Sequence, residues 1–240
     1  MRLATYRTGK VFILYDADSL CDASGAPQIG PSTFDPDHWR RAGRVIGEAP
    51  GRGASLFLAP GPPVANTEWV LRPYRRGGLV ARLSESRYLW TGVERTRAFR
   101  ELRLTAELFT LDLPVPRPVA AGVTRHGLTY QAALITARIL GARALAERLA
   151  SGEADAGLLR EVGRTVRRFH DAGLDHVDLN ARNLLIDHED RVWLIDLDRC
   201  RRRRPGPWRQ ANLDRLARSL AKFEAEPAMA DIRQGYTAPA

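Results

Sequence analysis

In a chain of 240 residues, cysteine, lysine and long apolar runs are all scarce. Two cysteines, Cys21 and Cys200, lie far apart with no second ligand pair beside either. That excludes a disulfide framework and a zinc site, and it favours a reducing compartment. No stretch approaches the roughly 18 uninterrupted apolar residues of a membrane span. The start, Met1-Arg2-Leu3-Ala4-Thr5-Tyr6-Arg7, carries neither the apolar core nor the small-residue cleavage site of an export signal. Histidines His38, His126 and His188 are scattered without metal-ligand spacing, and no Gly-x-Ser-x-Gly elbow points to a hydrolase.

Lysine occurs only at Lys10 and Lys222, yet Lys+Arg is 37 against 28 Asp+Glu, a formal net charge of +9. Arginine therefore supplies nearly all the cation. A GC-rich genome explains such a bias without function, but the physical consequence is the same. Guanidinium binds phosphate and carboxylate bidentately and is not neutralised by deprotonation. Anionic partners follow: a nucleotide, nucleic acid or an acidic membrane surface. Nucleic acid is not expected, because no basic motif is interleaved with aromatics.

With 44% hydrophobic residues the chain can bury a core as one bilobal domain or two small ones. Residues 10–15 read as a strand, followed by a turn-rich segment from Asp16 to Pro31. A short helix is expected near Pro36, N-capped by Asp35. Strands are expected over Arg44–Gly47, Ser55–Ala59 and Glu68–Arg72, and a hairpin over Gly78–Trp90. Phe99, Leu102, Ala106 and Phe109 recur at helical spacing within Val93–Leu111. Pro114, Pro116 and Pro118 stop that helix and impose extended chain. Leu128–Ile135 reads as a buried strand, and helices are expected over residues 142–150, Ala156–Ala172 and Leu213–Phe223. The order is a β-rich half containing one helix, then a mostly helical half, with a cleft expected near Thr136–Ile139.

The chemistry is concentrated in His176-Val177-Asp178-Leu179-Asn180-Ala181-Arg182-Asn183 and Trp193-Leu194-Ile195-Asp196-Leu197-Asp198. Asp178 and Asn183 are five apart, and Asn183 and Asp196 thirteen. Alone, an Asp-x-x-x-x-Asn pair is ordinary turn chemistry. With His176 two residues before the acid, a helix before the loop and a strand before Asp196, the set suits phosphoryl transfer. It offers one proton acceptor and two oxygen ligands for a metal. His170, Asp171 and Asp175 read as helix-terminal and loop-bracing groups.

These motifs resemble the protein-kinase-like superfamily, and within it the kinases of 3-deoxy-D-manno-octulosonic acid (Kdo), an inner-core sugar of lipopolysaccharide. The likeness runs over most of residues 40–220. It rests on the two motifs above, on Gly51-Arg52-Gly53-Ala54, on Trp69-Val70-Leu71-Arg72-Pro73-Tyr74-Arg75-Arg76-Gly77-Gly78, and on Leu113-Pro114-Val115-Pro116-Arg117-Pro118. It implies an α+β, protein-kinase-like bilobal fold: a β-rich N-lobe over residues 1–138 and a mainly helical, truncated C-lobe over residues 139–240. It implies that Asp178 is catalytic, that Asn183 and Asp196 hold Mg²⁺ against ATP, and that Gly51 and Gly53 let the backbone approach the phosphates. The acceptor implied is the 4-hydroxyl of Kdo on a lipid A precursor, reached at the cytoplasmic face of the inner membrane of a Gram-negative bacterium.

One position departs from the superfamily pattern. The third-strand lysine that grips ATP has no counterpart, and Arg72 stands in its place with Glu101 on the following helix as the matching acid. Read without the resemblance, Arg72 is a surface strand-end residue. Asn180 is a second departure, since protein kinases usually carry lysine there. The 44 residues after Asp196 hold no Ala-Pro-Glu anchor, which argues against a peptide acceptor. Arg199-Cys200-Arg201-Arg202-Arg203-Arg204 is either a solvated charge run or a surface for an anionic glycolipid, joined by Arg75, Arg76 and Arg82. Trp90 and Trp208 are either core residues or headgroup-level anchors. Two rival readings remain: another small-molecule kinase of the fold, of heptose or aminoglycoside type, and a non-catalytic, degenerate kinase fold acting as a binding module.

Overall fold

A computed structural model describes residues 1–22, 24–49, 55–61, 67–74 and 87–238. The chain divides into two compact units, Met1–Ala106 with Arg117–Arg138 and Glu107–Pro116 with Ile139–Ala240. Together they make a mixed α/β structure with a large antiparallel sheet and several helices.

The first unit contains β1 (Leu3–Thr8), β2 (Val11–Asp16), α1 (Ala17–Leu20), α2 (Pro36–Arg41), β3 (Val45–Ala49), β4 (Ser55–Leu58), β5 (Trp69–Pro73), β6 (Tyr88–Leu89), most of α3 (Arg97–Thr110), β7 (Pro118–His126) and β8 (Thr129–Ala137). Its strands form one sheet in the order β1-β2-β7-β8-β5-β4-β3, with β6 also paired to β8. Strand alternation sends side chains to opposite faces, and each face has its own core. Leu14, Ala121, Val123 and Leu134 pack with Ala98, Phe99 and Leu102 of α3. Ile13, Tyr15, Leu56, Leu58, Leu71 and Ile135 pack with Ala17, Leu20 and Trp39. Asp35 caps α2, its carboxylate accepting from the Asp37 N–H at 3.0 Å.

Several sequence expectations shift. α3 begins at Arg97 rather than Val93, because Gly92 (φ 112°) and a 3₁₀ turn over Val93–Arg95 precede it. β1 was not anticipated: Leu3-Ala4-Thr5-Tyr6-Arg7-Thr8 is an edge strand with too polar a pattern to announce itself. Nor was β7, whose extended chain continues from the proline run into Val119–Val123. Of the expected Gly78–Trp90 hairpin, residues 78–86 lie outside the described part. The described arm pairs with β8, Tyr88 opposite Tyr130. Leu128, expected within a buried strand, is 78% exposed in the turn before β8.

The second unit contains β9 (Arg143–Ala144), α4 (Leu145–Ala150), α5 (Ala156–Asp171), β10 (Leu174–Asp175), β11 (Leu184–Ile186), β12 (Val192–Leu194), β13 (Arg201–Arg202), α6 (Trp208–Ala221) and α7 (Ala228–Thr237). Asp155 caps α5, accepting from the Leu158 N–H at 2.8 Å. The apolar positions of α5, namely Leu158, Leu159, Val162, Val166 and Phe169, are all buried. Arg143 and Ala144 are strand rather than helix, because they pair with Ile186 and Leu185. α6 begins five residues before the expected Leu213, and α7 was missed. Its inward positions include Ala228 and Gly235, too small to give a helical hydrophobic signal.

Candidate active site

The His176–Asn183 loop lies between β10 and β11 and is pinned at nearly every residue. The His176 ring is buried, 1% exposed. Its Nδ1 accepts from the Asp178 N–H at 3.3 Å, so Nε2 carries the proton and donates to Ile195 O at 3.1 Å. Burial lowers the His176 pKa, which keeps the ring in this neutral tautomer. One imidazole therefore ties the residue before Asp196 to the backbone of Asp178.

Two asparagines shape the rest of the loop. The Asn180 Oδ1 accepts from the N–H groups of Arg182 (2.9 Å) and Asn183 (3.2 Å), an Asx-type turn. Both Asn180 Nδ2 and Asn183 Nδ2 donate to Asp178 O at 2.9 Å. Asn180, the second departure from the kinase pattern, thus has a local structural task. The Asn183 carbonyl accepts from the Ile195 N–H at 3.0 Å, which sets Asn183 opposite the residue adjoining Asp196. Leu184 pairs with Leu194 one step further on.

Asp196 has φ 60°. A non-glycine residue reaches this left-handed region at a cost of about 1 kcal/mol or more, and Asp is among the few that visit it. The turn ends the β12 ladder and re-aims the carboxylate. Asp178 is exposed, and Asn183 and Asp196 are half-buried. With its Nδ2 committed to Asp178, Asn183 has its amide oxygen for a cation. An amide and a carboxylate are hard oxygen donors that suit Mg²⁺ with several waters retained. No cluster of three His, Cys, Asp or Glu able to hold a metal exists among the described residues.

Residues that the sequence reading passed over hold the loop from outside. Asn212 of α6 accepts the His176 N–H at 2.9 Å and donates to the Asp175 carboxylate at 3.0 Å and to Trp208 O at 2.9 Å. Ser219 accepts the Ala181 N–H at 3.1 Å, and the Ala146 N–H of α4 donates to Ala181 O at 3.0 Å. For Asn212 and Ser219 the only sequence signal was polarity on the inner face of α6, beside Leu213, Leu216 and Leu220.

Asp175 is buried and carries Arg203 on its second oxygen at 3.0 Å, with Arg201 at 4.0 Å. Arg202 donates through Nε to Ala172 O at 2.9 Å. β13, which includes Arg201 and Arg202, pairs with β10. Much of the arginine run therefore serves its own unit. Trp208 is buried, its Nε1–H donating to Arg204 O at 2.8 Å, so it is a core residue and not a headgroup anchor.

In the first unit, the alternation of β5 turns Arg72 toward α3, and the following Tyr74 shares its parity. Arg72 pairs with Glu101, which is 3% exposed, so it is not a surface strand-end cation. The Tyr74 hydroxyl donates to the other Glu101 oxygen. Burial, then the neighbouring Glu101 charge, pushes the Tyr74 phenol well above its ordinary pKa, so it remains a donor. Gly51 and Gly53 lie outside the described residues.

Among known proteins, the chain stands with the phosphotransferases that act on sugar hydroxyls. It belongs to the lipopolysaccharide kinase (Kdo/WaaP) family, whose sequence model matches residues 36–236. It is 46% identical over 226 residues to a 3-deoxy-D-manno-octulosonic acid kinase of Stenotrophomonas maltophilia strain K279a, covering 93% of this chain and 86% of that one. A protein of the same name from Xanthomonas axonopodis pv. citri is 43% identical over 237 residues, covering 98% and 90%. One from Vibrio parahaemolyticus is 38% identical over 217 residues, covering 90% and 87%.

Proposed function

We propose that the chain transfers the γ-phosphoryl group of ATP to the 4-hydroxyl of Kdo on a lipid A precursor, in lipopolysaccharide inner-core synthesis. The hydroxyl oxygen bonds to phosphorus, the bond to the β–γ bridging oxygen breaks, and ADP leaves. The observation that carries this reading is the acid–amide–acid loop around His176, joined to a family whose named relatives are Kdo kinases. Asp178 would orient the hydroxyl and take its proton. Asn183 and Asp196 would hold Mg²⁺, which when bound offsets charge on the phosphates. Arg72, braced by Glu101, would take the place of the usual lysine on the α- and β-phosphates.

The same reading assigns the protein-kinase-like bilobal plan, with the sheet unit as N-lobe and the helical unit as C-lobe. It also places the protein peripherally at the cytoplasmic face of the inner membrane. In support, no helix among the described residues is long and apolar enough to cross a membrane, and the net charge is +9.

The test is label transfer from γ-labelled ATP to purified Kdo–lipid A precursor, with heptose and aminoglycoside acceptors in parallel. Wild type should label the Kdo acceptor, and Asp178→Ala should reduce turnover by about 10³-fold or more. Because Asp178 is exposed, the variant should fold and still bind ATP. Intact ATP binding with no transfer to any Kdo acceptor would overturn the proposal.

A further inference from the structure

At one end of the first unit's sheet, three chain segments lie side by side. The Arg125 N–H of β7 donates to Lys10 O at 2.9 Å, which brings the β1–β2 turn against the end of β7. The β7–β8 turn carries Gly127 (φ 62°) and Leu128, and Leu128 O accepts from the Trp90 N–H at 2.9 Å. Leu89 of β6 sits opposite Thr129. Leu89, Trp90 and Leu128 thus lie at one end of the sheet, Trp90 on the face that carries Phe12 and Tyr130 and Leu89, by strand alternation, on the other.

Leu128 is 78% exposed and Leu89 66%, more than any other large hydrophobic described. Trp90 is half-buried, its ring 5.5 Å from Phe12 and 6.2 Å from Tyr130, which holds the indole in place beside them. A single exposed leucine needs no explanation, but two at the same end of a sheet, with a half-buried tryptophan between them in the chain fold, make an apolar tip.

The tip is rimmed with cations. Arg7, Lys10, Arg87 and Arg125 are exposed, and none is in an ion pair among the described residues. Arg7 lies 4.9 Å over Phe12 and Arg125 5.1 Å over Trp90. Each donates to a turn carbonyl, Gly9 O at 3.3 Å and Gly127 O at 3.0 Å. Glu94, the acid that follows Trp90, is already gripped by Arg103 at 2.8 and 2.9 Å.

We propose that this end of the sheet is a docking surface for an anionic lipid bilayer. Leu89 and Leu128 enter the headgroup–acyl boundary, Trp90 lies at the headgroup level, and the four cations meet lipid phosphates. A bilayer fits better than a protein partner because the leucines stand on turn and edge positions with cations beside them. The assignment gives membrane attachment a different origin from the Arg199–Arg204 run. It rests on the peripheral membrane placement proposed above and stands apart from the phosphotransfer reading.

Co-sedimentation of the full chain with phosphatidylglycerol–phosphatidylcholine vesicles, against phosphatidylcholine alone, tests it. Wild type should bind the anionic vesicles, less tightly as salt rises. Leu89→Ser with Leu128→Ser should weaken binding at least about tenfold. Arg7→Gln, Lys10→Gln and Arg125→Gln should each weaken it by up to about fivefold. If the leucine double variant does not fold, Leu128→Ser alone and the charge variants give the same readout. Phosphoryl transfer to a water-soluble Kdo acceptor should be unchanged, so docking and chemistry are read separately. Failure of wild type to bind anionic vesicles, a protein partner on the tip included, overturns the proposal. Undiminished binding by the variants overturns it too, while leaving the peripheral placement standing.

Discussion

Glu101 is a buried acid held from two sides. Its buried carboxylate has one oxygen on Arg72 and the other on Tyr74. A buried charge stripped of a partner is costly, so each donor stabilises the acid for the other. With Tyr74 in place, Glu101 stays set when the proposed clamp Arg72 turns to a phosphate. Tyr74→Phe should therefore raise the KM for ATP about 10-fold or more, the low end of the worth of one hydrogen bond to a charged group, and leave the KM for the acceptor unchanged. Arg72→Ala should raise it further. Steady-state kinetics varying each substrate checks both, and an unchanged ATP response in the two variants would reject the clamp. The Arg72–Glu101 pairing was expected only through the kinase resemblance, since the two residues stand 29 apart in the chain. Asn212 was not legible, because its meaning depends on the His176 N–H, 36 residues earlier in the chain.

Helices α5 and α7 cross on glycine. A Cβ on Gly163 would meet the Ile232 carbonyl and lie 2.6 Å from the Tyr236 nitrogen, and one on Gly235 would run into the Arg160 carbonyl. Gly163→Ala gains about 1 kcal/mol of helix propensity. The forced separation of the two backbones should outweigh that gain, for a net loss of about 1–2 kcal/mol measured by equilibrium denaturation. The same substitution at an exposed helical site would stabilise, so the sign of the change reports the crossing. α5 was readable from its apolar stripe, whereas α7 was hidden by this close approach: a helix that packs through glycine and alanine carries little hydrophobic periodicity.

Acid stability brings the buried histidines together. His170 is buried between Trp208 and Tyr236, its Nδ1 2.8 Å from the Tyr236 hydroxyl, and burial and then Arg209 lower its pKa to about 4. His176 is lowered in the same direction. An unfolded histidine binds a proton below about pH 6.5, while the folded His170 refuses it until about pH 4. The stabilisation is therefore complete above pH 6.5 and is lost as pH falls toward 4, with His170 contributing up to about 3 kcal/mol of that loss. His170→Phe should flatten the fall of Tm between pH 7 and 4.5 relative to wild type. Thermal melts across that range measure the difference, and parallel curves would reject the assignment. Asp171 and Arg209, 3.2 Å apart beside His170, are present in both proteins, so the comparison isolates the imidazole.

Local order in the chain dictated what lies within one loop or one strand: the acid–amide–acid spacing, the Asp35 and Asp155 caps, the parity that turns Arg72 toward a helix. Such features depend on near neighbours and backbone periodicity, and both are written in sequence. Packing settled which charges are available. Arg203 lies in the basic run yet is engaged by Asp175, because β10 and β13 pair across 28 residues. Leu128 belongs to an apolar strand pattern yet stands in water, because the turn ends one residue later. Charge and hydrophobicity are properties of residues, but exposure and ion pairing belong to contacts between segments distant in the chain, and only the folded chain assigns them.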